Sequence, residues 1–330
     1  MAEKPIVIAV TGPTATGKTA LGIELAKKFS GEIVSCDSMQ VYKGLKIGTA
    51  QPEEGELSQV RHHLIGFLGW EENFSVSDYV KLAGETIGEI DSRGRLPVLV
   101  GGTGLYARSL LRGFTFTEEC RDDNLRAKLF SEAQKLGPDE MHRKLAELDS
   151  VSAEEIHPNN LKRVLRALEY CILSGEPFSR QTERSRQAEG PYRYVMICPV
   201  FRDRRRLYER INARVDRMLE KGLLEEAQKL YSFCKSAPKP PTAAQSIGYK
   251  ELFPYFEGQI ALEEAVENIK RESRRYAKRQ LTWFAREPEI RYLYMDGLCG
   301  TDAALEECMK ILESCEFYTE LSLREGGGAH

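Results

Sequence analysis

The 330-residue sequence predicts an α/β protein, a parallel-sheet core interrupted by a helical insertion domain. Three observations carry that prediction. Strand-like and helix-like stretches alternate through the first hundred residues, which implies a parallel sheet with right-handed crossovers. A glycine-rich turn sits at the first strand-to-helix junction. From about Phe114 to Gly190 the apolar spacing becomes helical throughout, and a strand pattern returns after it.

In chain order, Pro5–Val10 is a buried-strand run and Thr19–Phe29 has helical periodicity. Glu32–Cys36 is a second strand, Asp78–Asp91 a helix, and Leu96–Val100 a later strand. In the next stretch Leu125, Leu129, Leu136, Leu145, Leu161, Leu165 and Leu168 recur among charged residues. Tyr192–Phe201 is again a strand. Arg204–Tyr231 and Leu262–Phe284 are long amphipathic stretches, with the proline-rich Ala237–Pro241 connecting them. This assigns residues 1–113 and 191–330 to the core with its C-terminal helices, and 114–190 to the insertion. Gly326–Gly328 reads as a frayed tail.

A hydrophobic content of 42% with 29% charged residues excludes a generally disordered chain. No apolar run approaches the roughly 18 residues of a membrane helix. The first strand begins a few residues after Met1, which leaves no room for a signal peptide. Eight cysteines include no CxxC pair, and the closest two are Cys308 and Cys315, a spacing that suits neither zinc nor a disulfide framework. They are expected as free thiols in a reducing cytoplasm.

Gly12-Pro13-Thr14-Ala15-Thr16-Gly17-Lys18-Thr19 fits G-x-x-x-x-G-K-[ST] and lies between a predicted strand and a predicted helix, the context that motif requires. The core is therefore expected to be P-loop NTPase-like. Backbone N–H groups of such a loop turn inward around a phosphate, the helix N-terminus and Lys18 add positive charge, and the Thr19 hydroxyl can reach Mg²⁺. A hydrolytic P-loop enzyme normally adds a strand ending in a magnesium-holding Asp. Leu96–Val100 ends instead in Gly101-Gly102-Thr103-Gly104, whereas Ile33–Cys36 does end in Asp37. Asp37 thus falls where open α/β sheets place their ligands. Three roles stay open for it on this reading: magnesium partner, general base, or turn cap.

These residues resemble the tRNA dimethylallyltransferases. The resemblance rests on seven blocks in order: Gly12–Thr19, Asp37-Ser38-Met39-Gln40-Val41-Tyr42, Ile47-Gly48-Thr49-Ala50, Gly101–Tyr106, His157-Pro158-Asn159-Asn160, Gln245–Lys250 and Lys278–Phe284. It implies transfer of a dimethylallyl group from dimethylallyl diphosphate to N6 of the adenosine 3′ of the anticodon in tRNA, with release of diphosphate. It also implies a P-loop core with a helical insertion that contacts the anticodon stem-loop. The family's base falls on Asp37, its diphosphate-binding arginine on Arg214, and Mg²⁺ on Thr19. tRNA contacts fall on Asp37, Ser38, Met39, Gln40 and Thr103, on Lys162, Arg163 and Arg166, on Gln245, Gly248 and Lys250, and on Lys278, Arg279, Gln280 and Trp283. Arg126 is a looser correspondence. Eukaryotic members often carry a C-terminal Cys/His zinc module. Beyond the last cysteine, Cys315, the only His or Cys is His330, so the chain resembles the bacterial type, expected as a cytoplasmic monomer.

The formal net charge of −3 conceals a polarised chain. Glu118–Glu155 holds eleven acidic and six basic residues, while His157–Arg217 holds fourteen basic and seven acidic. Six of the ten residues from Lys270 to Arg279 are Lys or Arg. On a helix Lys270, Arg274 and Lys278 share one row, as do Arg271, Arg275 and Arg279. That stripe suits a phosphate backbone, or is a solvated face. Trp283 and Phe284 read as core rather than base-stacking residues. His62 and His63 read as structural or surface groups, and His157 as fixing a helix start. Alternative functions for the same loop are an adenylate isopentenyltransferase acting on free AMP or ATP, a small-molecule kinase, and an NTP-switched RNA-binding protein.

Overall fold

The computed structural model describes residues 3–114, 122–187 and 190–325; the Gly326–Gly328 tail and Cys120 lie outside the described residues. The strands are β1 (Ile6–Thr11), β2 (Gly31–Ser35), β3 (His62–His63), β4 (Leu96–Gly101), β5 (Arg193–Val200) and β6 (Ile290–Tyr294). They form one parallel sheet in the order β3-β2-β4-β1-β5-β6. β1 and β4 are buried along their whole length. That is why they read as continuous apolar runs, since a parallel sheet is covered on both faces.

Alternate residues of β1 feed two cores, as the two-residue period of a strand requires. Ile6, Ile8 and Val10 pack with Leu21 and Leu25 of helix Lys18–Lys28 and with Ala304 and Leu312 of helix Gly300–Glu313. Val7 and Ala9 face Tyr79, Ala83 and Ile87 of helix Val76–Ser92 and Leu110 of helix Gly104–Leu111. A third core joins Val41, Tyr42 and Leu45 to Leu223, Tyr249 and Ile269.

The predicted strands stand within one or two residues of their expected ends, but β3 and β6 were not foreseen. Arg204–Tyr231 is not one helix. It divides into Arg204–Glu220 and Leu223–Ser236 at Gly222, whose φ of +95° is left-handed and cannot continue a helix. His63 is structural: its Nε2 lies 2.7 Å from Glu32 on the neighbouring strand. The described cysteines are all free. Among the described residues no helix is long and apolar enough to cross a membrane.

The chain divides into two compact units, Met1–Leu111 with Pro191–His330, and Arg112–Gly190. The second has five helices among its described residues: Asp123–Leu136, Pro138–Leu148, Ser150–Glu155, Leu161–Ser174 and Phe178–Gln187. Its own core includes Leu129, Met141, Leu145, Val164 and Leu168. Before the fourth helix, His157 Nδ1 accepts the Asn159 N–H at 3.1 Å, which shapes the turn leading to the Asn160 N-cap.

Candidate active site

β1 is the switch point of the sheet: its own connection runs to β2 on one side, while its neighbour on the other side, β5, leads on to β6. Ligands of open α/β sheets bind outside the carboxyl ends of strands at such a point. There the chain passes through Gly12–Gly17 into helix Lys18–Lys28, and Thr14, Lys18 and Thr19 line a cavity of about 340 Å³. The cavity lies wholly within the sheet-bearing unit.

Its polar end is electropositive and buried. Lys18 Nζ donates to the Pro13 carbonyl of its own loop. Burial, followed by the neighbouring Arg214 charge, holds the Lys18 pKa down at about 8. Burial also lowers the Arg214 pKa, against the pull of Asp37, and Arg214 Nη1 donates to the Thr14 hydroxyl. Arg210, one turn earlier on helix Arg204–Glu220, donates Nε to the Ala15 carbonyl at 2.8 Å. Two desolvated cations, the charge of one depressing the pKa of the other, are suited to an anion. Asp37 is the one carboxylate on the cavity lining among the described residues.

Asp37 is a turn cap that also lines the cavity. Its Oδ1 accepts the Met39 N–H at 2.9 Å. Thr103 is not on the lining but fixes this turn, its Oγ1 accepting the Ser38 N–H at 3.0 Å. Tyr276 faces the same corner, its phenol pushed up by burial and then by the Asp37 charge. An apolar part of the lining comes from Met39, Ala50, Ile211, Val215, Met218 and Ile269.

Ser38, Met39, Gln245, Gly248, Lys250 and Arg279 also reach the cavity. Other predicted contacts are already committed within the protein. Gln40 lines the cavity, yet its carboxamide accepts from Ser35 Oγ and donates to the carbonyls of Thr49 and Ala50. Gln280 is buried, accepting the Thr14 N–H at 3.0 Å and donating to the Gly102 carbonyl at 2.9 Å. Trp283 packs edge-on against Phe284 beside Gly104, with Arg108 over its ring. Gln40, Gln280 and Trp283 therefore also hold the structure around the site.

The basic stripe is only partly a free surface. Lys270 pairs with Asp216 at 2.6 Å, and Arg274 bonds Asn212 at 2.7 Å and Glu267 at 2.9 Å, so this row pins helix Leu262–Phe284 to Arg204–Glu220. Lys278 and Arg279 are exposed, Arg279 lying over the Tyr276 ring. In the helical unit Arg126 and Arg166 both pair with the buried Glu169, at 2.8 and 3.2 Å, whereas Lys162 and Arg163 are exposed.

Sequence reasoning passed over Arg210, Ser273 and Glu226. Arg210 had a signal, the one-turn spacing from Arg214. Glu226 had none, because its partners lie about 180 residues away.

The IPP transferase family pattern matches residues 40–287, and an isopentenyl transferase pattern matches residues 5–67. The chain is similar to the tRNA dimethylallyltransferase of Bacillus subtilis, 47% identical over 293 residues covering 89% of this chain and 91% of the other. The tRNA dimethylallyltransferase of Acetivibrio thermocellus is 43% identical over 312 residues, 94% of this chain and 96% of the other. Among solved structures, the tRNA isopentenylpyrophosphate transferase of Bacillus halodurans is similar at 41% identity and a TM-score of 0.70, covering 97% of this chain and all of that one. A eukaryotic dimethylallyltransferase acting on tRNA superposes with a TM-score of 0.84 at 28% identity, over 96% of this chain and 80% of that one.

Proposed function

Because this chain belongs to the IPP transferase family, the family of the tRNA dimethylallyltransferases, we propose that its cavity transfers a dimethylallyl group from dimethylallyl diphosphate to a tRNA adenosine. The acceptor atom is N6 of the adenosine 3′ of the anticodon. The observation that carries this reading is the division of one cavity into a cationic end, an apolar wall and a single carboxylate.

In the reaction the N6 lone pair attacks C1 of the dimethylallyl group as the bond from C1 to the diphosphate oxygen breaks. The leaving diphosphate carries off the bonding electrons, and Lys18, Arg214 and the loop amides are placed to neutralise that charge. The amine lone pair of adenine is delocalised into the ring, so it needs orientation and a proton acceptor. Asp37 supplies both, taking up the N6 proton. The apolar wall holds the prenyl chain and keeps water from the carbon centre.

Thr19, on the cavity lining at the start of the helix, fits a magnesium ion that would arrive with the donor. Such ions commonly take one or two protein oxygens and complete their shell with phosphate and water. When bound, Mg²⁺ would supply further charge to the leaving diphosphate.

Exposed Lys278 and Arg279, with Lys162 and Arg163 on the helical unit, are proposed phosphate contacts for the anticodon stem-loop. The target base must leave its stack to reach a cavity of this kind. The test is transfer of radiolabel from dimethylallyl diphosphate, with Mg²⁺, to unmodified tRNA, AMP or ATP offered in parallel. Label at the adenosine 3′ of the anticodon supports the reading. Label in AMP or ATP alone overturns it in favour of an adenylate isopentenyltransferase.

A further inference from the structure

The side of the cavity formed by Gly48, Thr49 and Ala50 is held by a carboxylate that touches no part of the cavity itself. Glu226, in the first turn of helix Leu223–Ser236, accepts hydrogen bonds from three successive backbone N–H groups. Lys46 donates to Oε2 at 2.9 Å, Ile47 to Oε1 at 2.9 Å and Gly48 to Oε1 at 3.2 Å. The Tyr249 hydroxyl donates to the same Oε1 at 2.6 Å and in turn accepts the Gly48 N–H at 3.1 Å. Tyr249 is fully buried, and its phenol is pushed up by burial and then by the Glu226 charge, so it stays a donor.

The packing around this clamp leaves no slack. A Cβ on Gly48 would come within 2.4 Å of the Tyr249 ring, so the backbone lies directly against that side chain. Beyond it, the Gln40 carboxamide donates to the carbonyls of Thr49 at 3.3 Å and Ala50 at 2.8 Å. The segment is thus held from behind by Glu226 and Tyr249, and from the Asp37 side by Gln40. Val215, Met218 and Ile269 line the same cavity, the apolar surface expected to meet the donor's hydrocarbon.

We infer that Glu226 and Tyr249 are positioning residues that fix the Gly48–Ala50 wall and thereby set how long a prenyl chain the cavity admits. The inference rests on the proposed prenyl transfer. A carboxylate is required because it alone among side chains of this length accepts four hydrogen bonds without offering a proton. Its isostere glutamine turns an NH₂ group toward some of those N–H donors, which loosens the wall without changing side-chain volume.

The test compares wild type with Glu226→Gln and Tyr249→Phe in steady-state transfer to tRNA from dimethylallyl diphosphate and from geranyl diphosphate, the ten-carbon homologue. Inorganic diphosphate binding is measured alongside. Both variants are expected to raise KM for the five-carbon donor by about 10- to 100-fold, the size of a hydrogen bond to a charged group, with kcat falling far less. Selectivity for the five-carbon over the ten-carbon donor should fall, while diphosphate affinity stays within about threefold of wild type, because the glycine loop is untouched. A variant that loses diphosphate binding as well has a merely structural defect, and that result from both overturns the inference. Unchanged selectivity in both overturns it too. Wild-type protein that binds diphosphate but transfers neither donor overturns the proposed reaction, and the chain-length role with it.

Discussion

Gln280 accepts the backbone N–H of Thr14 at 3.0 Å, across 266 residues of sequence, and donates to the Gly102 carbonyl at 2.9 Å. One buried carboxamide thereby ties the glycine loop to the turn that follows β4, with its orientation fixed by one accepting and one donating bond. Gln280→Ala is expected to lower stability by about 1–3 kcal/mol, leaving two buried polar groups unpaired. Gln280→Glu should be at least as harmful, since a second carboxylate oxygen would face the Gly102 carbonyl. Both should weaken inorganic diphosphate binding through the displaced loop. Thermal unfolding and calorimetric titration check this. Wild-type stability in both variants would remove the clamp.

Lys18 makes diphosphate binding depend on pH. Its pKa in the ligand-free protein is depressed to about 8, so the ammonium begins to be lost as pH rises through that value. A bound anion favours the charged form and raises the pKa, so binding above pH 8 must take up a proton. Affinity for inorganic diphosphate should therefore fall by up to tenfold per pH unit above about 8, until the pKa of the complex is reached. Lys18→Met should bind more weakly and lose this part of the dependence. The difference between the two titration curves cancels the ligand's own protonation, and parallel curves would exclude Lys18 as the titrating group.

The sequence made part of this legible and hid the rest for physical reasons. β1 and β4 could be read because a strand buried on both faces is apolar at every position. β6 could not, since at the sheet edge Arg291, Tyr292 and Tyr294 are exposed and its pattern resembles a loop. The glycine loop and Asp37 were legible because backbone geometry there demands particular residue types in a local run. The states of Gln40, Gln280 and Arg274 were not. A polar side chain in a motif looks the same whether it faces a ligand or bonds a carbonyl far away in sequence, as Gln280 does with Gly102. Glu226 shows the converse, a helix-surface acid by pattern that is a clamp in space.

One substitution pair separates the turn cap formed by Asp37 from its proposed role as proton acceptor. Asp37→Asn keeps a side-chain oxygen able to accept the Met39 N–H, whereas Asp37→Ala removes it. Loss of the proton acceptor alone should lower kcat for transfer by roughly 10²- to 10⁴-fold in both variants. Only Asp37→Ala should also lose stability, by about 0.5–2 kcal/mol, because the turn loses its cap. Diphosphate affinity should persist in both, as Lys18 and Arg214 are retained. Single-turnover transfer and thermal unfolding give the two readouts, and wild-type turnover in Asp37→Asn would take Asp37 out of the proton transfer.

The pinned and the exposed cations of the basic helix should behave differently when their charges are changed. Arg274 is three-quarters buried and bonded to Asn212 and Glu267, so Arg274→Ala should lower stability by about 1–3 kcal/mol. Lys278 is exposed, and Arg275 is tied only to Glu272 one turn away, an ion pair that solvent screens. Lys278→Glu and Arg275→Glu should leave unfolding within about 0.5 kcal/mol of wild type. If these side chains meet tRNA phosphates, each change should weaken binding and reduce the slope of log K against log salt by about one. Filter binding at four or five salt concentrations measures that slope. An unchanged slope in the double variant would make these exposed cations a solvated face, and would leave Lys162 and Arg163 as the cations to examine for the RNA backbone.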